Sequence, residues 1–322
     1  MAVDEIVETI SASRLSSFEF CPYSYYLDTI IRDADLPITG LMAKRFWLKN
    51  AFSKLIPEGL YVGDEVTYLE DLDPKELAKY LRFKSPEAFA NAMFQQWIHL
   101  IIKKNGKVHG RDIVWTYNKE WWKAAHEIKK ACSAYYQRIL EKGLPILGYT
   151  GREAAFYFEK RKYVVKFDEI RKGMVLEKQN TSKANQEKID QDWQITMQIL
   201  AFCELAHQYE AYRLKWDVNP EIAAAWGGTA VHIDPQVTYR YCSLGENKEI
   251  ETNRTDSDLA VMQESIRTIQ DSVEQAVLQQ EFSPNYKHCS VCKYNVLGKD
   301  NQPVCRAKKE NVKTPKPMSA FD

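Results

Sequence analysis

The sequence lacks the features that mark membrane, secreted and repetitive proteins. No stretch approaches the roughly 18 consecutive apolar residues that a membrane helix requires. The N-terminal segment MAVDEIVETI is acidic and does not show the basic and then apolar order of a signal peptide. No internal repeat and no low-complexity tract is present. These absences predict a globular, cytoplasmic protein that has no membrane partner.

An excess of charge of either sign is also missing. Lysine and arginine together number 44, and aspartate and glutamate also number 44. Net charge therefore gives no sign of a nucleic-acid partner, and any such binding must depend on local charge. No P-loop motif is found, so ATP-driven unwinding of DNA would have to come from another chain.

Cysteine is sparse, with seven residues in 322. In a cytoplasmic chain this number favours metal ligands or core thiols over a disulfide framework. Cys289 and Cys292 form a CxxC pair, and Cys305 follows after twelve intervening residues. This spacing indicates a metal site, for which Cys21 is the leading fourth ligand and His288 the alternative. Zinc and an iron–sulfur cluster both satisfy the chemistry, and unligated thiols are the third alternative.

A hairpin pattern lies at 163–179, which reads YVVKFDEIRKGMVLEKQ. Two apolar, β-branched runs flank a charged turn around Arg171–Gly173, which predicts two antiparallel strands. Asp168 and Glu177 stand near the ends of these strands, so we expect their carboxylates to converge. Two such groups beside a basic surface can hold Mg²⁺ for phosphodiester chemistry. The alternative is a pair of solvent-facing salt-bridge partners.

Local charge favours a polyanionic partner at this hairpin. Residues 160–178 carry seven Lys or Arg and only three Asp or Glu. A plain surface hairpin has no reason for such a bias, whereas a nucleic-acid-binding surface does.

Capping signals and apolar periodicity predict the remaining elements. Ser11 or Ser13 is a candidate N-cap for an early helix. Ser85 followed by Pro86 starts another helix, and Gly143 ends a long one. The predicted helices cover 41–56, 74–81, a segment from 85, 117–142, 187–209 and 256–280. The predicted strands cover 153–159, the hairpin, 210–217 and 229–243.

In these segments the chain resembles the RecB-like branch of the PD-(D/E)XK nucleases that carry an iron–sulfur clasp. This branch includes the nuclease domains of bacterial helicase–nucleases and the exonucleases of CRISPR adaptation. The paired N- and C-terminal cysteine motifs are the most specific part of the match. The matching segments are SRLSSFEFCPYSYYL at 13–27, GREAAFYF at 151–158, KFDEIRKGMVLEKQNTS at 166–182, WQITMQILAF at 193–202 and FSPNYKHCSVCKY with a further cysteine at 282–305.

The resemblance implies a role for each matching position. Asp168 and Glu177 would coordinate Mg²⁺ or Mn²⁺, together with the backbone carbonyl of Lys178. Glu153 would be the upstream acidic residue of the site. Gln194 would correspond to the glutamine of the following helix, which helps to hold the active site and the DNA. A structural four-iron–four-sulfur cluster would be bound by Cys21, Cys289, Cys292 and Cys305.

Two departures from the family bear on activity. The motif lysine is replaced by Gln179, which can donate a hydrogen bond but brings no charge to stabilise developing negative charge. Lys183 or Lys188 is a candidate to reach the site from the next element, whereas Lys178 points to the other face of its strand. The segment LMAKRFWLKN contains no histidine, although many family members carry a metal-binding histidine there.

We expect a single α/β domain of the restriction-endonuclease type, with a mixed central sheet flanked by helices. A helical insertion and a cysteine cluster that joins the two ends complete the expected fold. The segments are an N-terminal clasp at 1–40, a helical region at 41–148, a nuclease-like core at 149–280, a C-terminal clasp at 281–305 and a mobile basic tail at 306–322.

The leading hypothesis is a metal-dependent deoxyribonuclease of DNA repair, an exonuclease or an enzyme directed to DNA ends or single strands. Its partners would be DNA and a helicase or another DNA-processing protein. The first alternative is a catalytically inactive nuclease-like scaffold that binds DNA or a protein, which Gln179 favours. The second is a zinc-stabilised interaction module with no role on DNA. The hypothesis of an active enzyme assigns the catalytic site to Asp168, Glu177, Gln179, Glu153 and Gln194.

Overall fold

Long helices alternate with short strands in a computed structural model of the protein. The structure describes residues 9–31, 38–56, 74–103, 107–108, 111–115, 119–145, 153–158, 161–171, 175–181, 183, 185–211, 237–292, 294, 305 and 307. The α-helices are α1 (Ala12–Phe20), α2 (Pro22–Tyr25), α3 (Gly40–Ser53), α4 (Pro74–Tyr80), α5 (Pro86–Lys103), α6 (Glu120–Lys142), α7 (Gln186–Asp190), α8 (Trp193–Ala211) and α9 (Asp256–Gln279). The strands are β1 (Thr9–Ser11), β2 (Ile38–Thr39), β3 (Lys107–Val108), β4 (Arg111–Val114), β5 (Glu153–Phe158), β6 (Arg161–Lys166), β7 (Glu169–Arg171), β8 (Val175–Asn180), β9 (Thr238–Ser243) and β10 (Lys248–Thr252). This mixture of elements confirms the α/β class.

The chain divides into two compact units. The first is built from 1–47, 94–128 and 265–322, and the second from 48–93 and 129–264. Both predicted clasp segments belong to the first unit, and most of the predicted nuclease-like core belongs to the second. Of the helices that the structure describes, none combines the length and the apolar character needed to span a membrane. The predicted basic tail at 306–322 lies outside the described residues, apart from residue 307.

Capping residues set the helix ends where the sequence predicts them. Ser11 Oγ accepts a hydrogen bond from the Arg14 amide at 3.2 Å, and it is the N-cap of α1. Ser85 Oγ accepts from the Ala88 amide at 3.1 Å at the start of α5. Gly143 follows α6 with a φ of 76°, a left-handed conformation that glycine adopts without a steric cost.

The predicted helix over 187–209 is two helices, α7 and α8. Asp192 stands between them, and its Oδ1 accepts hydrogen bonds from the amides of Gln194 at 2.9 Å and Ile195 at 3.2 Å. An aspartate in this position caps a new helix in preference to continuing the old one. The structure therefore corrects the continuous helix, and it places Gln194 in the first turn of α8.

A four-stranded sheet in the order β10–β9–β8–β7 forms the centre of the second unit. Its outer pairs are antiparallel, whereas β8 and β9 run parallel. Of the strand predicted over 229–243, the part from Thr238 onward is β9, and 229–236 lie outside the described residues. The strand predicted over 210–217 is not seen at 210–211, which end α8, and its other residues are not described.

The predicted hairpin has a different pairing from the one that we expected. β6 pairs with β5, so Lys166 lies opposite Glu153, and the chain then bends before β7 begins. The antiparallel partner of β8 is therefore β7. Asp168 lies in the bend, and its neighbour Glu169 is the residue directly opposite Glu177.

The first unit holds a small sheet and an aromatic core. β2 pairs with β4 in parallel, and β3 pairs with β4 antiparallel. α1, α2 and α9 pack through a hydrophobic cluster formed by Phe18, Tyr25, Val273, Ala276 and Val277. This packing joins sequence from both ends of the chain within one unit.

In the second unit, Phe202 on α8 is fully buried and contacts Phe167 edge-to-face, with ring centroids 5.7 Å apart. Phe167 immediately precedes Asp168, so this contact positions the bend. We predict that Phe202→Ala lowers the free energy of unfolding by about 3–5 kcal/mol, because it leaves a cavity beside Phe167. Urea unfolding followed by circular dichroism measures the effect. The matched control is Val261→Ala at a position that is 65% exposed, for which a comparable loss would contradict the prediction.

Candidate functional site

The site that the hairpin motif indicated is centred on the buried carboxylate of Glu177 on β8. Glu169 on β7 lies directly opposite, and Arg240 on β9 lies directly beside it on the parallel side. Gln179 is two residues further along β8, on the same face as Glu177 because side chains alternate along a strand. The sheet register therefore brings these four polar side chains together.

Both oxygens of Glu177 are engaged by positively charged groups. Arg138 Nε on α6 donates a hydrogen bond to Oε1 at 2.6 Å. Arg171 Nε forms an ion pair with Oε2 at 3.0 Å, and Arg240 Nη1 donates to Oε2 at 3.3 Å. Gln179 Nε2 donates to Oε1 at 2.5 Å. Burial alone would raise the pKa of Glu177, but the Arg138 hydrogen bond and the surrounding guanidinium charges lower it to about 2.

Glu169 has no exposed surface. Tyr135 on α6 donates its hydroxyl to Oε1 at 2.7 Å, and Gln179 Nε2 donates to Oε2 at 3.2 Å. Burial is the largest influence on Glu169 and raises its pKa to about 7, with the Glu177 charge acting in the same direction. The nearby Arg171 and the two hydrogen bonds act in the opposite direction but do not cancel the effect of burial. The two facing glutamates thus differ in how readily they ionise.

Asp168 has a partner that the sequence pattern did not indicate. Lys49 on α3 places its Nζ 2.5 Å from Asp168 Oδ1. The Asp168 side chain is only 7% exposed, whereas that of Lys49 is 55% exposed. The amine therefore stands between the buried carboxylate and the solvent. No local motif links these two residues, because 118 residues separate them in the sequence.

The two lysines that were candidates to replace the motif lysine do not supply this partner. Lys183 is 90% exposed and pairs with Glu246 at 3.8 Å. Lys188 is exposed on α7. Lys178 pairs with Tyr241 in the parallel ladder, and the strand alternation directs its side chain away from the face of Glu177.

The structure separates two glutamines of α8. Gln194, the predicted site residue, is exposed in the first turn. Gln198, one turn later, donates to the Lys166 carbonyl oxygen at 2.9 Å and accepts from the Tyr239 hydroxyl at 3.0 Å. Gln198 thus connects the strand that leads to Asp168 with β9. An i+4 search along the helix would have identified it as a second candidate. Of Glu153, the structure describes the β5 backbone alone.

These residues do not fit a Mg²⁺ or Mn²⁺ site centred on Glu177. A Mg²⁺ ion needs oxygen ligands at about 2.0–2.1 Å that are free to face it. Both oxygens of Glu177 face guanidinium groups, which would repel a divalent cation. Over the residues that the structure describes, no group of three or more His, Cys, Asp and Glu side chains is arranged to hold a metal ion.

The four predicted cysteine ligands line one pocket in the first unit. The pocket has about 330 Å³ of free volume, including its open mouth, and is bordered by Cys21, Cys289, Cys292 and Cys305. His288, the alternative ligand, also lines it and packs its ring against Phe20 at 4.4 Å. Burial raises the pKa of Cys292, and the other three cysteines act in the same direction. Four thiols are the donor set of a thiolate-bound metal group, although these side chains, all within the described part of the chain, are not arranged around one metal ion in this structure.

Hydrogen bonds strengthen the same pocket. The Asn285 amide donates to Cys21 Sγ at 3.3 Å. The Tyr294 hydroxyl donates to Asp28, whose other oxygen accepts from Ser17 at 3.3 Å. Residues near both ends of the chain are therefore held together by contacts other than metal ligation.

A comparison with known protein families and with curated protein sequences finds no match to this chain. The relation to the RecB-like nucleases therefore depends on the sequence motifs themselves and stays a proposal.

The raised pKa of Glu169 predicts a dependence of stability on pH. Because its folded pKa of about 7 exceeds the ordinary value of 4.5, its contribution to stability is full below about pH 4.5 and is lost as the pH rises through 7. Glu177 has the opposite sign, and its contribution is lost as the pH falls from 4.5 through about 2.

We therefore expect the wild type to lose stability on the order of 1 kcal/mol per pH unit between about pH 5 and pH 7. Glu169→Gln should not show this loss, because glutamine does not ionise. Glutamine keeps an acceptor for the Tyr135 hydroxyl, so the variant should fold. Urea unfolding at several pH values measures the change. Glu246→Gln, at an exposed position, is the control. An unchanged pH profile for Glu169→Gln would contradict the prediction.

Proposed function

We propose that this chain is a nuclease-like, DNA-binding protein with a structural iron–sulfur cluster, and that its carboxylate site is closed to metal-dependent hydrolysis. The observation that carries the proposal is the engagement of both Glu177 oxygens by Arg138, Arg171 and Arg240. Gln179 strengthens it, because its amide donates to Glu177 and Glu169 where the family has a lysine. A carboxylate neutralised in this way connects strands instead of presenting ligands to a cation.

The proposed fold is that of the restriction endonucleases. The mixed four-stranded sheet supports it, since the motif residues lie on β8 and in the bend before β7. α8 follows β8 in the chain, and Gln198 on α8 donates a hydrogen bond to the Lys166 carbonyl at the end of β6, just before the bend. The resemblance further suggests a cytoplasmic location and a helicase or another DNA-processing protein as a partner.

Exposed basic residues around the motif support DNA as the ligand. Lys166 is exposed and Lys162 is half-buried on β6, and Lys49 keeps 55% of its side chain exposed. Arg171, by contrast, turns inward to the glutamates. The basic bias of 160–178 thus serves two purposes in this proposal, since part of it neutralises the buried acids and part faces solvent for phosphate contacts.

The cysteine pocket supports an iron–sulfur cluster in preference to one zinc ion. Four sulfurs that bind zinc must each approach the same ion to about 2.3 Å. Here the four thiols surround a pocket, which suits a group whose irons each take a separate cysteine. The cluster would supply a covalent connection between the N- and C-terminal segments, in agreement with its structural role in the family.

A second candidate function, a Mg²⁺- or Mn²⁺-dependent deoxyribonuclease, is favoured by the contact between Lys49 and Asp168. An amine at this carboxylate could replace the charge that Gln179 lacks. The nuclease would need Glu177 to exchange its arginine partners for a metal ion on binding DNA.

We predict that the anaerobically purified protein binds end-labelled single- and double-stranded DNA but does not cleave it with Mg²⁺ or Mn²⁺. Gel electrophoresis and a parallel binding assay measure the two properties. Lys166→Ala should weaken binding, because it removes an exposed cation. Lys183→Ala, at a position that is 90% exposed, is the matched lysine control.

Cleavage by the wild type that Asp168→Ala and Glu177→Ala both abolish would reverse the choice between the two candidates. In that case, loss of cleavage in Lys49→Ala but not in Lys183→Ala would identify Lys49 as the residue that takes the place of the motif lysine. Absence of both cleavage and binding would reject both candidates.

We also predict that the purified protein is brown and carries about four irons per chain. Cys21→Ser should lose iron and colour, whereas Cys203→Ser, which lies outside the pocket residues, should retain both. Iron, sulfide and zinc analysis provides the measurement. A colourless wild type with about one zinc per chain would favour the zinc-stabilised module.

A further inference from the structure

A second surface, within the first unit, carries an exposed aromatic ring that is fixed in place. Trp122 on α6 is 43% exposed although it contacts three other rings. Its ring centroid lies 5.6 Å from that of Trp121, 5.7 Å from that of Phe94 and 4.9 Å from that of His126. All three contacts are edge-to-face, a geometry that holds a ring in one orientation. An exposed indole held in this way loses little conformational entropy when a ligand stacks on it.

His126 extends this surface by one helical turn. It follows Trp122 by four residues, so both side chains lie on one face of α6, and it is exposed. Phe94 on α5 contacts the rings of both residues, with its centroid 5.5 Å from that of His126. We refer to Phe94, Trp122 and His126 as the aromatic platform.

Two exposed lysines border the platform. Lys119 precedes Trp122 by three residues and Lys123 follows it directly. The Lys119 carbonyl accepts hydrogen bonds from the amides of Trp122 at 3.0 Å and Lys123 at 3.1 Å, which fixes Lys119 at the start of the helix. Its φ of 64° is uncommon for a residue other than glycine.

The acidic residues of the same helix segment do not cancel this charge at the platform. Glu127 pairs with Lys44 at 2.5 Å, so its charge is compensated. Glu120 Oε1 lies next to Gly40, so that a Cβ atom added to Gly40 would be 3.0 Å from this oxygen. The exposed rings are therefore bordered by two lysines, and the charge of Glu127 is compensated by Lys44.

We propose that the aromatic platform, with Lys119 and Lys123, binds unpaired nucleotides, with a base stacked on Trp122 and the phosphates beside the two lysines. Aromatic rings and cations are the two components by which proteins bind single strands without reading their sequence. The proposal rests on the DNA-binding role proposed above and specifies the single-stranded form of the ligand.

The test compares single-stranded oligothymidylate with an oligonucleotide of the same length made of abasic residues. We expect the full-length protein to bind the normal strand more tightly than the abasic one. Trp122→Ala should weaken binding of the normal strand by roughly tenfold and leave abasic binding unchanged. Trp122→Phe keeps a ring and should retain most of the affinity. Tyr80→Ala, at another aromatic position that is 47% exposed, is the control and should have no effect.

Lys123→Gln tests the electrostatic part independently. It should weaken binding of both oligonucleotides equally and reduce the slope of log affinity against log salt by about 0.7, because one phosphate contact is lost. Circular dichroism shows whether each variant is folded.

Several outcomes would overturn the proposal, and they are distinct from failure of the DNA-binding role. If the wild type binds duplex DNA but not single strands, the platform proposal fails and the DNA-binding role stands. The same conclusion follows if a folded Trp122→Ala protein binds the normal strand as tightly as the wild type does, or loses normal and abasic strands equally. If the wild type binds neither duplex nor single strands, both proposals fail.

Discussion

The arrangement of the second unit depends on the neutralisation of one buried carboxylate. Glu177 lies at the centre of the sheet, where an uncompensated charge would be prohibitively unfavourable. Its three guanidinium partners come from α6, β7 and β9. Each of these elements must therefore pack against β8 in one register for the charge to be compensated. A shift of a strand by one residue would move its arginine to the opposite face of the sheet.

Such a network contributes more to the choice of structure than to net stability. Removing two glutamates and three arginines from water costs much of the free energy that their mutual attraction gains, and apolar residues of similar volume often stabilise a fold as well. The network does, however, make any structure that lacks one of its ion-pair partners much less stable, because a buried charge is then left uncompensated. The unequal ionisation of Glu169 and Glu177 has a related origin. Glu177 has three guanidinium partners, whereas Glu169 is fully buried and has Arg171 alone as a charged partner among those that lower its pKa. In this chain, the face of the sheet that carries Glu177 connects β7, β8 and β9 with α6 through ion pairs.

The sequence predicted those features that depend on local chemistry. Ser11, Ser85 and Gly143 act over one turn of backbone, and the structure has them at helix ends as expected. Cys289, Cys292 and Cys305 were grouped by their spacing, with Cys21 or His288 as the fourth ligand, and all five residues line one pocket. Features that depend on tertiary contacts were missed. Lys49 contacts Asp168 from a helix that is distant in the sequence. The expected hairpin is replaced by a bend at Asp168, because β6 pairs with β5 and not with β8.

The parallel pairing of β8 with β9 has a consequence for the order in which the protein is made. A ribosome completes Arg138 and Arg171 before or together with Glu177, but Arg240 emerges only after the whole of α7 and α8. Parallel strands cannot pair until the connection between them is complete, and contacts across so long a stretch form slowly. In a nascent chain that ends before β9, Glu177 thus lacks Arg240, one of its three guanidinium partners. The second unit therefore cannot complete its sheet until β9 and β10, which come last in the sequence of that sheet, have been synthesised.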